Sequence, residues 1–355
     1  MAPSVTDSPT ITVVTCLRDE GPYLVDWVAH LLTLGVGRIL AYTNDCSDGT
    51  EALLDALAPA GVIHVAQGAC RDSPGPTPQW RALRAAWDHP AVAGAEWLLH
   101  LDVDEWIALT GPTTLADLIA ACGRAQAIAL PWRLFGCDGR FAPGEGPVPA
   151  RFTRAAPEAM AYPALGAFFK TLFRRDGPWS GFGIHRPLQT APPRFADETG
   201  HLDDALARSP KRILLWRGGK PAPGRLVQLN HYSIRSIHEF LVKRRRGLPN
   251  HTDKEIDLTY WVERNFNATR CRAIEPHLPA MAARAAELRA LDGVAEREAA
   301  CRAAQARALD EVLATPEGAA LCGRLVLAAG SVAPEPRLGR HLVALQRAAV
   351  AGRQP

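Results

Sequence analysis

Short apolar runs rich in β-branched residues alternate along the chain with segments whose apolar residues recur every three to four positions. That alternation predicts an α/β sheet built from strand and helix crossovers. Ile11 to Cys16 reads as a buried strand. Asp19-Glu20-Gly21-Pro22 sets acids and a proline where a helix begins, and Tyr23, Leu24, Trp27, Val28, Leu31 and Leu34 follow at helical spacing until Gly35 stops it. Arg38 to Tyr42 predicts a second strand, Asn44 to Gly49 a polar turn that caps a helix over Glu51 to Leu57, and Val62 to Val65 a third strand. The Pro-rich segment Ser73 to Pro78 delivers the chain into a helix over Gln79 to Trp87.

Glu96 to Leu101 is a near-continuous apolar run that stops at Asp102-Val103-Asp104-Glu105, as a buried central strand with acids at its C-terminal end would. In open α/β sheets that edge is where ligands bind. A helix over Thr114 to Ala121, a strand over Ala127 to Trp132 and a Gly/Pro-rich stretch to Pro149 follow. Further strands are expected over Lys170 to Arg174 and Leu226 to Leu229, around a Pro-rich loop from Ala191 to Pro210. Beyond Ile274 the composition turns to Ala, Arg, Glu and Leu, and Leu278, Met281, Ala285, Leu288, Leu291 and Val294 form one apolar stripe. A helical appendage over 271–355 is expected from it.

At roughly 100 to 200 residues per domain, a chain of 355 residues holds one large domain with an appendage, or two domains. A hydrophobic fraction of 47% with a net charge of +3 excludes global disorder and a nucleic-acid protein held by a general positive field. No basic-then-apolar leader opens the sequence and no run of about 20 apolar residues occurs. The expectation is a soluble, cytoplasmic protein with no membrane span, for which peripheral membrane contact stays open. The eight cysteines form no C-x-x-C pair and read as reduced, mostly buried thiols.

The strongest chemical signal is Asp102-Val103-Asp104. Carboxylates two residues apart on a strand project to one side, about 6 to 7 Å apart, and can share one cation. Hard oxygen ligands suit Mg²⁺ or Mn²⁺, which completes its shell with substrate phosphates and would neutralise a departing diphosphate. Aspartyl-phosphate phosphatases also place D-x-D after an apolar strand, but they resemble one another in a Thr or Val two residues after the second Asp, where this chain has Trp106. A second polar cluster, Thr15 to Glu20 with Tyr42 to Thr50, lies just beyond the first two strands on the same edge. Such helix-starting loops can hold a base, a ribose and phosphates. Neither G-x-G-x-x-G nor a P-loop is present, so Rossmann dinucleotide and P-loop readings lose their main support.

Together these stretches resemble the family 2 glycosyltransferases, through Thr15 to Trp27, Tyr42 to Thr50, Trp97 to Trp106, Trp132 to Gly136, Lys170 to Arg174, Asn230-His231-Tyr232 and Ser236 to Gly247. The resemblance spans residues 10–270 and implies an A-type glycosyltransferase fold, with a nucleotide-sugar-binding half over 10–110 and an acceptor half over 111–270. It implies a donor base and ribose near Thr15, Arg18, Asn44 and Asp45, a donor pocket lined by Gln79, and Asp102 at the ribose. Asp102, Asp104 and His231 would hold Mn²⁺ or Mg²⁺ at the diphosphate. The expected reaction moves a sugar from a UDP- or GDP-linked donor to an acceptor hydroxyl, saccharide or other, with inversion. Glu105 is the candidate base, beside Asp138, Asp197 and Glu198. A non-catalytic nucleotide- or carbohydrate-binding module on the same fold is the alternative from another class. Replacing Asp104, read as a surface carboxylate at a strand end, should abolish turnover and leave stability unchanged.

Overall fold

The computed structural model describes residues 8–70, 73–247 and 256–351. Its strands are β1 (Ile11–Leu17), β2 (Arg38–Thr43), β3 (Val62–Ala66), β4 (Trp97–His100), β5 (Glu105–Leu109), β6 (Ala127–Leu134), β7 (Arg154–Ala155), β8 (Phe169–Arg174), β9 (Phe195–Ala196), β10 (Val227–His231) and β11 (Thr269–Arg270). Nine of them form one sheet in the order β3-β2-β1-β4-β8-β6-β10-β5, with β9 beside β6, while β7 and β11 pair separately. β3, β2, β1 and β4 are mutually parallel; β8 enters antiparallel between β4 and β6; β10 is parallel to β6, and β5 closes the sheet antiparallel to β10.

Every residue of β1 is buried, because helices cover both faces of the sheet. Strand alternation sends Val13 into a core with Trp27, Leu31 and Ile39, and Val14 into a second core on the other face with Leu40, Leu83 and Phe173. The helix Gly21–Thr33 is buried from Gly21 to Leu31, since the helices Leu278–Arg289 and Val294–Leu313 cover it with Met281, Ala285, Leu288, Val294 and Cys301. A Cβ at Gly21 would come within 2.3 Å of Cys301 Sγ, so only glycine permits this approach. The Arg289 guanidinium locks the same interface, donating to Asp26 Oδ1 at 2.8 Å and Glu298 Oε2 at 2.7 Å.

The expected strands appear with ends shifted by a residue or two, and the C-terminal region is helical. All eight cysteines are free thiols, seven of them buried. Among the described residues no helix is long and apolar enough to cross a membrane. Among the elements not anticipated, β5 matters most to the site: after Asp102 to Asp104 the chain reverses, and Glu105 returns it as β5, with His231 of β10 opposite Glu105 in the register.

Candidate active site

The carboxyl ends of β1, β4, β6 and β10 and the adjoining start of β8 surround a cavity of about 310 Å³. Asp102 and Asp104 lie on its wall, in the turn between β4 and β5. Asp102 accepts from Gln79 Nε2 at 2.9 Å and from Lys170 Nζ at 2.9 Å. Asp104 accepts from Lys243 Nζ at 2.7 Å and stands 3.6 Å from His231 Nε2. Lys170 is 1% exposed and opens β8, 3.2 Å from His100 Nδ1 and 3.3 Å from Glu105 Oε2. Lys243 also donates to the Ser233 carbonyl at 2.7 Å. It sits in the helix Ile237–Arg246, which a Ser236/Glu239 capping box starts.

Burial alone would raise both aspartates. The Lys170 ammonium, with His100, instead holds Asp102 below the usual carboxylate range, and Lys243 with His231 holds Asp104 well below it. Reciprocally, Asp102 and Glu105 overcome burial and raise Lys170. Burial lowers His231, pushes His100 down to about 4 and His185 down to about 3, so the three rings are neutral at pH 7. His231 packs on Trp132 with ring centroids 4.0 Å apart, and His185 stacks on Phe168 at 4.6 Å; all four line the cavity.

Glu105 does not face the cavity. Adjacent residues on a strand point to opposite faces, and Glu105 is turned inward at 0% exposure. Its carboxylate accepts from Trp132 Nε1 at 2.6 Å and from the Asp102 backbone N–H at 2.8 Å. Burial pushes it up to about 8, although Lys170 acts in the opposite sense. It braces the turn that carries the two aspartates and does not line the cavity, where the expectation had made it the base. Asp138, Asp197 and Glu198 also lie away from the cavity wall. Glu198 is tied to Arg217, and Asp138 caps the Thr153 backbone N–H.

Of the other residues singled out, Arg18, Gln79 and His231 line the cavity. Thr15 and Asn44 are fully buried and do not line it. Asn44 Nδ2 donates to Asp45 Oδ2 at 3.0 Å, and the Asp45 carbonyl accepts from Arg18 Nε at 3.0 Å, so this group reaches the cavity through Arg18. Asp19 and Asp45 both hold left-handed backbone at φ 49° in the loops leaving β1 and β2, a conformation that aspartate adopts more readily than most non-glycine residues. Sequence reasoning passed over Lys170 and Arg264, and read Lys243 only as a member of the basic run Lys243 to Arg246, one of which could contact a diphosphate or an acidic acceptor. Nothing local marks the aspartates that Lys170 and Lys243 serve. Arg246, at the end of the same basic run, is a brace: it bonds Glu20 and the carbonyls of Arg18 and Asp19.

This donor set does not fit the expected Mn²⁺ or Mg²⁺. Each carboxylate of the pair already carries an ammonium. A metal-bound histidine normally donates its second ring nitrogen to an acceptor, yet His231 Nδ1 is buried without a partner. Among the described residues no group of three or more His, Cys, Asp or Glu side chains is disposed to hold a metal ion.

No family model matches the chain. Over 113 residues, 31% of its length, it is 26% identical to a glycosyltransferase family 92 protein of Oryza sativa subsp. japonica, and over 110 residues, 30% of its length, 26% identical to one of Ricinus communis. The match spans 18% of the length of each of these curated relatives. Among solved structures, mannosyl-3-phosphoglycerate synthase from Rubrobacter xylanophilus aligns at a TM-score of 0.25 and 16% identity, covering 47% of this chain and 53% of that one. A putative glucose-1-phosphate thymidylyltransferase from Bacillus anthracis aligns at 0.23 and 14%, covering 39% and 61%. In sequence, the chain is similar to glycosyltransferases.

Proposed function

We propose that this cavity transfers a glycosyl group from a nucleoside-diphosphate sugar to an acceptor hydroxyl, with inversion. The supporting observation is the D-x-D turn at the carboxyl end of β4, beside the parallel strands β1 to β3, opening into a cavity walled by Arg18, Lys243 and Arg264. A nucleotide sugar brings a diphosphate that wants cations and a ring that stacks on aromatic faces, here supplied by Trp132, Phe168 and Tyr260.

In the transfer the acceptor oxygen bonds to the anomeric carbon. The bond from that carbon to the diphosphate oxygen breaks, and its electron pair leaves with the diphosphate. The acceptor proton goes to a carboxylate on the cavity wall. Two of these keep exposed surface, Asp102 at 29% and Glu263 at 37%, and Asp102→Asn and Glu263→Gln separate them. The same reading makes the protein family 2-like by its motifs, with UDP- or GDP-linked donors and a saccharide or other hydroxyl acceptor. Release of nucleoside diphosphate from a panel of UDP- and GDP-linked sugars, with and without simple saccharides, is the test. Release from no donor, together with cleavage of an aryl phosphate ester, would reject transfer in favour of phosphatase chemistry.

A further inference from the structure

We infer that the cavity binds the diphosphate of its nucleotide without a divalent cation, on Lys243, Arg264 and Arg18. The inference rests on the glycosyl-transfer reading and specifies how its substrate is held. A metal at a carboxylate pair compensates two negative charges and presents positive charge to the phosphates. Here Lys170 and Lys243 already compensate Asp102 and Asp104, at 2.9 and 2.7 Å. An ion at these carboxylates would stand beside both ammoniums, which are held at 1% exposure for Lys170 and 7% for Lys243. Stripping either would leave a buried charge unpaired, which costs far more than it returns.

The presenting function is supplied by the same cations. Lys243 spends two of its three donors, on Asp104 Oδ2 and the Ser233 carbonyl, and is part of the cavity wall. The Arg264 guanidinium lies over Tyr260, 3.7 Å from the ring centroid; its Nη1 donates to the Tyr260 carbonyl and to Glu263 Oε2, each at 3.3 Å, and its Nε is buried with no partner. Its position on the cavity wall suits the forked bonding that guanidinium makes to phosphate oxygens. Arg18 is also on the wall, oriented by the Asp45 and Arg246 carbonyls at 3.0 and 3.1 Å. Lys170, which does not line the cavity, keeps Asp102 and Glu105 from opposing the incoming anion.

Calorimetric titration of the full chain with UDP and with GDP, in a chelator and then in Mn²⁺, tests this, with Mn²⁺ alone as a third titration. Expected are equal affinity for the bound nucleotide in both buffers and no binding heat from Mn²⁺ alone. Lys243→Met should weaken binding in chelator at least about tenfold, the scale of one lost charge-assisted hydrogen bond. Arg264→Gln, which leaves both aspartate pairs intact, should do so by a similar factor if Lys243→Met fails to fold. Nucleotide binding that requires Mn²⁺ would overturn the inference and leave the transfer reading standing. Unchanged affinity in a folded Lys243→Met and in Arg264→Gln would overturn it too. Binding of neither nucleotide in any buffer would overturn both.

Discussion

The two edges of the central sheet each carry a basic hollow, and they differ in where the charge is kept. At the amino edge, beside the starts of β4 and β6 and the end of β8, a groove of about 870 Å³ is lined by Arg124, Arg174, Arg175 and Arg194 with Glu96 and Asp176. Its charges stand in water: Arg124 and Arg194 are exposed, and Arg174 pairs with Asp176 at 44% and 67% exposure. The carboxyl-edge cavity is the smaller, about 310 Å³, yet Lys170, Lys243, Asp104 and Glu105 there are all below 9% exposure. Coulomb interactions weaken in proportion to the surrounding dielectric, so the buried set is coupled strongly and the exposed set barely. Size therefore misdirects, and burial of opposed charges marks the edge where chemistry is expected.

The harshest test of that contrast is Asp104→Ala. Read as a surface carboxylate, Asp104 would be dispensable for folding; buried against Lys243, it is not. Removing it strands an ammonium, and such losses cost about 3–5 kcal/mol. Chemical denaturation should register that loss alongside the loss of transfer. A protein as stable as wild type would show that Lys243 escapes to solvent and that the buried pair has been overvalued.

Glu105 sharpens the comparison through pH. Its pKa is raised by burial from 4.5 in the unfolded chain to about 8. Its contribution is therefore fully present below about pH 4.5 and is lost as pH rises through about 8. Denaturation midpoints measured across that window should fall with rising pH, and Glu105→Gln should flatten the dependence because an amide does not titrate. A parallel decline in the variant would assign it to other groups. Trp132→Phe is milder: it removes the 2.6 Å donor to Glu105 while keeping an aromatic ring near His231. A loss of about 1–3 kcal/mol is expected for a buried acceptor deprived of its donor, with a reduced rate and the same donor preference.

What could be read in advance was local. The strands at 11–17, 38–43 and 97–100 and the helix at 78–87 announce themselves by period and punctuation, and the D-x-D turn is visible as acids after an apolar run. What could not be read is pairing at a distance. Lys170 meets Asp102 across 68 residues and Lys243 meets Asp104 across 139, because β8 inserts antiparallel beside β4 and the helix Ile237–Arg246 turns Lys243 inward. A basic run at a helix end is ordinarily solvated, and only tertiary packing shows that Lys243 is not. Glu105 was not legible either, because the strand that turns it inward, β5, was not anticipated.

The smallest effect is expected at the amino edge, and it is the control on which the contrast depends. Arg124→Ala with Arg174→Ala removes two of the four arginines of the larger groove. Among the described residues, the ion pair this breaks is the exposed one to Asp176. Exposed pairs contribute about 0–1 kcal/mol and surface substitutions generally stay within about 0.5 kcal/mol, so the double variant should keep wild-type stability. It should also bind UDP or GDP as the wild type does, since no residue of that groove lines the carboxyl-edge cavity. Weakened nucleotide binding in this variant would mean that the sheet's two edges communicate. Exposure would then have to give way to connectivity as the guide to where the charge acts.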